Sequence, residues 1–135
     1  NKAMINRRNL SGFVHALKAG EAVWFAPDQD YGPKGSVFAL FFSVNKAAST
    51  NGTYALSKLA GAQLHTLSMI RRSDKKGYRM YISNPLSGYP GEDKVAAAGY
   101  MNKIIEHEIL RAPEQYLWMH RRFKTRPEGE ASLYK

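Results

Sequence analysis

The stretch Ala22-Val23-Trp24-Phe25-Ala26-Pro27-Asp28-Gln29-Asp30-Tyr31-Gly32 decides how the rest of the chain is read. Five consecutive residues without polar alternation predict a strand covered on both faces, the pattern of a parallel sheet. Pro27 ends it, and residues 27–36, with Gly32, Pro33 and Gly35 as breakers, predict a loop. Asp28 and Asp30 then stand just past the C-terminal end of the strand, the edge where open α/β sheets bind ligands. There an aspartate orients a base, binds a sugar hydroxyl or holds a divalent cation. Equally, it caps backbone N–H groups in an Asx-type turn. Lys34, in Gly32-Pro33-Lys34-Gly35-Ser36, is positioned to touch an anion. The segment is no nucleotide-hydrolase phosphate loop, because the spacing and the Lys-Ser/Thr pair are missing.

Working outward, helices and strands alternate. Asn9 or Ser11 caps a short helix through Lys18, with Leu10, Phe13, Val14 and Leu17 on one face and Gly20 at its end. Ser49 or Thr50 caps a second helix over residues 51–59, closed by Gly61. Its opening Thr50-Asn51-Gly52-Thr53 reads as an N-cap before it reads as an anion site. Residues 62–70 predict a second strand, 73–77 a hairpin-type loop and 78–82 a third strand. Residues 84–91 predict a loop without a helix. A long helix over 92–111 carries an apolar stripe of Ala98, Met101, Ile105 and Ile109, widened by Ile104, with Glu92 and Asp93 at its N-terminus. Pro113 opens a further helical stretch carrying Tyr116, Leu117, Trp118 and Met119, and the tail from Thr125 is irregular. The alternation predicts an α/β chain, part of a mostly parallel sheet with flanking helices.

Composition bounds the function classes. With 135 residues, 44% of them hydrophobic and 12% aromatic, the chain is one domain's worth of globular sequence. Cysteine is absent, which excludes disulfides, thiolate metal sites and a cysteine nucleophile. No apolar run approaches the ~20 residues of a membrane span; the longest, residues 37–44, is broken by Ser43. The first residue is Asn1 rather than Met, so residues are expected upstream.

Twenty Lys and Arg against eleven Asp and Glu give a net charge of +9. The excess lies in three clusters: Lys2, Arg7 and Arg8; Arg71, Arg72, Lys75, Lys76 and Arg79; and Arg111, Arg121, Arg122, Lys124 and Arg126. Such clusters bind phosphates of lipids, nucleic acids or small ligands, or simply keep a surface solvated. The densest stretch is Trp118-Met119-His120-Arg121-Arg122-Phe123-Lys124-Thr125-Arg126-Pro127. Its arginine forks suit phosphate, and its aromatics suit a membrane interface or base stacking. A helix end complementing its dipole accounts for it as well. His15, His65, His107 and His120 show no metal-ligand spacing, and none has an acid five residues on. No nucleophile-elbow serine occurs. No catalytic constellation, metal site or cofactor site is therefore expected within this chain.

Residues 22–38 and 112–127 together resemble the late acyltransferases of lipid A biosynthesis, the lauroyl and myristoyl acyltransferase family. The resemblance rests on the block opening Trp24-Phe25-Ala26-Pro27-Asp28, on Thr50-Asn51-Gly52-Thr53, and on Ala112-Pro113-Glu114-Gln115-Tyr116 running into His120–Pro127. It implies the glycerolipid-acyltransferase α/β fold. It also implies fatty acyl transfer from acyl carrier protein to a hydroxyl of a lipid A precursor at the cytoplasmic face of the inner membrane. The family's membrane helix and its His-x4-Asp/Glu dyad, whose His activates the acceptor hydroxyl, are not found here. The expectation is that residues 1–135 are a single partial domain, the C-terminal portion of such an enzyme, inactive alone. Asp28, Asp30, Tyr31 and Lys34 then match the family's acceptor-side block. Arg121, Arg122, Lys124 and Arg126 match its basic block, expected to bind substrate phosphates or anionic lipid. The cluster at 71–79 is left between acyl carrier protein and the membrane surface. The alternative is a non-catalytic basic module for nucleic acid or other anionic partners, although no nucleic-acid motif is present and nucleic acid is not expected as a partner.

Overall fold

The computed structural model describes residues 4–6 and 9–135, so the cluster of Lys2, Arg7 and Arg8 lies outside the described residues. The first helix, α1 (Leu10–Lys18), starts where Asn9 Oδ1 accepts the Gly12 N–H at 2.8 Å. Strands β1 (Ser36–Phe41) and β2 (Val44–Thr50) form an antiparallel hairpin. Its turn forces Phe42 to a φ of 49°. Helix α2 (Gly52–Ala60) follows, its Gly52 N–H held by Thr50 Oγ1 at 3.1 Å, and Gly61 ends it at a φ of 64°. Strands β3 (Leu67–Arg71) and β4 (Tyr78–Ile82) make a second antiparallel ribbon. The long helix α3 (Lys94–Ile109) is capped by Asp93, whose carboxylate accepts from the Val95 and Ala96 N–H groups. A 3-10 turn, Pro113–Gln115, leads into the irregular tail.

Alternation along β1 buries Val37, Ala39 and Phe41 and turns Phe38 and Leu40 outward. The buried side faces α3. Val37 and Ala39 meet Ala98, while Phe41 and Ala47 meet Ile109 within a ring of Ile105, Tyr116 and Phe123. Asn102 sits in the middle of this stripe, 1% exposed, and donates to Leu40 O and Ser49 Oγ. A buried amide with its donors engaged costs little and fixes the register of helix on hairpin.

The expected mostly parallel sheet is not present among the described residues. The strands form two separate two-stranded antiparallel ribbons. Short turns join β1 to β2 and β3 to β4, and only antiparallel strands can be joined so tightly. Residues 22–26 form no strand, and Trp24 is 71% exposed. Phe25 instead anchors the segment by laying its ring on Gly52, at the start of α2. The second expected strand is confined to β3, because residues 62–66 form no ladder. The helical stretch expected from Pro113 is one 3-10 turn, after which Leu117, Trp118 and Met119 are exposed. Gln115 reaches back from this turn to the outer edge of β3. Its Oε1 accepts the Arg71 N–H at 2.7 Å, and its Nε2 donates to Arg71 O at 3.2 Å.

Candidate functional site

The loop at 27–36 and the stretch at 116–126 are brought together through Asp30. This residue is 3% exposed. Its Oδ1 accepts the Gly32 N–H at 2.9 Å, closing an Asx-type turn in which Gly32 takes a φ of 90°. The same oxygen accepts the Thr125 hydroxyl at 2.8 Å, and Oδ2 accepts the Thr125 N–H at 2.8 Å, 95 residues along the chain. The Asp30 N–H donates to His120 Nε2 at 3.0 Å, which makes that nitrogen an acceptor and assigns the ring proton to Nδ1. Tyr116 adds a further tie by donating its hydroxyl to Asp28 O at 3.1 Å. Burial, followed by the neighbouring Asp28 charge, pushes the Tyr116 phenol up to about 12.

Arg122 supports this junction from below. It is 2% exposed, donates Nη1 to Ala48 O at 2.6 Å and Nη2 to Ser49 Oγ at 3.3 Å, and lies 4.7 Å over the Phe41 ring. Burial lowers its pKa, while Tyr116 and the Asp30 and Asp28 charges act the other way. Arg126 is also turned inward. It donates Nη1 to Lys46 O at 2.8 Å and pairs with Glu130, which Lys46 holds from the other side at 2.7 Å. Those contacts, Lys46 foremost, hold the Glu130 carboxyl below its ordinary range.

The eight expected substrate-binding residues therefore divide into three groups. Asp30, Arg122 and Arg126 direct their polar groups at the chain itself. Asp28 is half-buried, with its carbonyl engaged by Tyr116. The Tyr31 hydroxyl donates to Ala26 O at 2.8 Å while the ring remains 44% exposed. Lys34, Arg121 and Lys124 are exposed on the two segments that Asp30 joins, with Arg121 lying 5.7 Å over the Tyr134 ring. Such a junction can hold an anionic group between lysine and arginine side chains on rigidly tied loops. Among the described residues, no group of three or more His, Asp or Glu is placed to hold a metal ion.

The chain matches the profile described as "Bacterial lipid A biosynthesis acyltransferase" over residues 1–125. It belongs to this family. Over 134 residues it is 66% identical to the lipid A biosynthesis palmitoleoyltransferase of Escherichia coli strain K12, a match covering 99% of this chain and 44% of that protein. It is 49% identical, with the same coverage, to the lipid A biosynthesis lauroyltransferase of that strain. Identity falls to 30% over 126 residues for the lipid A biosynthesis myristoyltransferase, covering 93% of this chain and 39% of that protein. The chain thus spans less than half the length of these relatives.

No role was expected of Thr125 or Asn102, and Ser49, expected as a cap of the second helix, instead lies within β2 and bonds Asn102 and Arg122. Asn102 had a usable signal, since it falls four residues after Ala98 and seven before Ile109, inside the apolar stripe. A polar residue at such a position predicts a buried hydrogen-bonded group. Thr125 had none, because its partner lies at the far end of the chain.

Proposed function

We propose that the whole protein transfers a fatty acyl chain from acyl carrier protein to a hydroxyl of a lipid A precursor, at the cytoplasmic face of the inner membrane. Family membership and the activities for which the relatives are named support the reaction class. The observation that carries this chain's part in it is the Asp30–Thr125 clamp. It fastens the two stretches on which the family resemblance rests into one junction and leaves Lys34, Arg121 and Lys124 open around it. In this reading the junction is the acceptor side of the site. The three cations hold phosphate on the acceptor, and Asp30, Arg122 and Arg126 keep the loops in place. The base that activates the hydroxyl is sought in the part of the relatives that these 135 residues do not span.

Acyl carrier protein loaded with a radiolabelled fatty acyl chain and a lipid A precursor, incubated with the full-length protein, test the reaction directly. Acyl transfer to the precursor is the expected outcome. A purified, folded full-length protein that leaves the precursor unmodified overturns the reading.

A further inference from the structure

Three residues tie the stretch at 116–126 to the loop at 27–36. Tyr116 donates its hydroxyl to Asp28 O, Thr125 donates its hydroxyl and N–H to the Asp30 carboxylate, and His120 Nε2 accepts the Asp30 N–H at 3.0 Å. The Thr125 donors, a hydroxyl and a backbone N–H, do not titrate, and burial keeps the Tyr116 phenol neutral up to about 12. His120 is different in kind. A neutral imidazole accepts through one ring nitrogen and donates through the other, whereas an imidazolium donates through both. On taking up a proton the ring turns a donor toward the Asp30 N–H, and the bond is lost. Imidazole is the side chain that makes this exchange between about pH 5 and about pH 8.

Backbone holds both ends of the contact. The His120 N–H donates to Leu117 O at 3.0 Å, and the Arg122 N–H donates to His120 O at 2.7 Å. Arg122 in turn is fastened to β2 through Ala48 O. On the loop side, the Asp30 carboxylate closes its own turn on the Gly32 N–H. Exchanging acceptor for donor at Nε2 therefore moves one segment against the other. The titratable and charged groups of the segments that meet here are Asp28, Asp30 and Lys34 on the loop, Tyr116, Arg121, Arg122 and Lys124 on the His120 stretch, and Tyr134, whose hydroxyl accepts the Phe123 N–H, on the tail. Lys46 of β2, Arg126 and Glu130 pair among themselves. Acids and cations thus stand on both sides of the ring's charge balance, and the deciding contact is the Asp30 N–H, which binds only the neutral ring.

We propose that His120 is a positioning residue whose neutral ring holds the loop at 27–36 in its acceptor-binding place and whose protonated ring releases it. The inference rests on the reading of this junction as the acceptor side and adds to it the pH range in which that side is formed. A phosphate on the acceptor exchanges its own second proton near pH 6, and the base that activates the hydroxyl titrates as well. The measure is therefore the difference between the parent and His120→Gln, whose amide oxygen accepts the Asp30 N–H at every pH.

The full-length protein is compared with His120→Gln and His120→Leu. Between about pH 8 and about pH 5.5, the parent KM for the lipid A precursor should rise about fivefold more than that of His120→Gln, with the kcat ratio of the two unchanged. His120→Leu should show the raised KM already at the higher pH, because the Asp30 N–H has lost its acceptor. Hydrogen–deuterium exchange of the peptide containing Asp30, corrected for its intrinsic pH dependence, needs no turnover. The parent should lose protection at the lower pH, and His120→Gln should keep it. Equal protection of the two at the lower pH overturns the proposal, whether or not acyl transfer is seen. So does a parent KM that follows that of His120→Gln, or one that falls against it, which would place the imidazolium on the acceptor phosphate itself. A protein that transfers no acyl chain yet shows the exchange difference removes the acyl-transfer reading and leaves the release of the loop by His120 standing.

Discussion

Asp30 gathers three donors on one carboxylate, and two of them come from Thr125. In Asp30→Asn the amide nitrogen replaces one acceptor and meets the N–H of either Gly32 or Thr125. The loss of a charge-assisted bond and the orphaned N–H should cost about 2–3 kcal/mol, read from denaturant unfolding. A variant as stable as the parent sinks the clamp. Tyr116 offers a second residue-scale test through pH. Its phenol is raised in the folded protein to about 12. The stabilisation from keeping it neutral is therefore complete below the ordinary tyrosine value near 10 and fades as pH climbs through about 12. Burial raises the Tyr89 phenol as well, so absorbance titration should show late tyrosines of which the Tyr116 share disappears in Tyr116→Phe, and that variant should lose less stability between those two pH values than the parent.

At the scale of elements, Phe25 and Gly52 connect residues 22–26 to α2. A Cβ at Gly52 would fall 2.4 Å from Phe25 Cζ. Gly52→Ala should therefore destabilise by about 1–3 kcal/mol, and Phe25→Leu in the same chain should recover part of it. Equal melting temperatures for parent and Gly52→Ala would show that the ring moves aside freely.

The elements also show where sequence was informative. Helix α1 with its Asn9 cap, α2 with its Gly61 stop, α3 and the β3–β4 tip all carry local signals, in caps, breakers and 3.6-residue stripes. The β1–β2 hairpin does not, because its turn is Phe42-Ser43, without the Asn-Gly or Asp-Gly chemistry that marks such turns. Residues 22–26 misled for a different reason. An apolar run records affinity for burial, whereas a strand also needs a neighbour, and the neighbour is not written into the run itself. The Asx turn at Asp30 was legible as one of several readings. Its second role depends on a residue 95 positions away, which no local pattern encodes.

For the whole molecule, the +9 charge does not act as one field. Part of it is consumed inside, in Arg122 and Arg126, where guanidinium groups hold backbone carbonyls. Of the remainder, one share stands at the ribbon tip and another at the junction of the two loops, while Lys2, Arg7 and Arg8 lie outside the described residues. In the acyl-transfer reaction proposed for the full-length protein, Arg121→Ala with Lys124→Ala should raise the KM for the lipid A precursor by about thirtyfold, taking each lost charge-assisted contact to phosphate as worth roughly 1 kcal/mol, with the melting temperature unchanged. An unaltered KM removes these two residues from the acceptor site. Arg122→Ala should behave differently and lower the melting temperature first, since it empties a buried position.

Gln115 has a consequence on a larger scale than its two hydrogen bonds. A two-stranded ribbon leaves a row of backbone donors and acceptors along each edge, and a row of that kind recruits strands from other molecules. At Arg71 the side-chain amide fills one slot that such an intruding strand would use. Gln115 thus closes one slot on the β3 edge. Gln115→Ala should leave the fold intact yet scatter light on standing at concentrations where the parent solution stays clear.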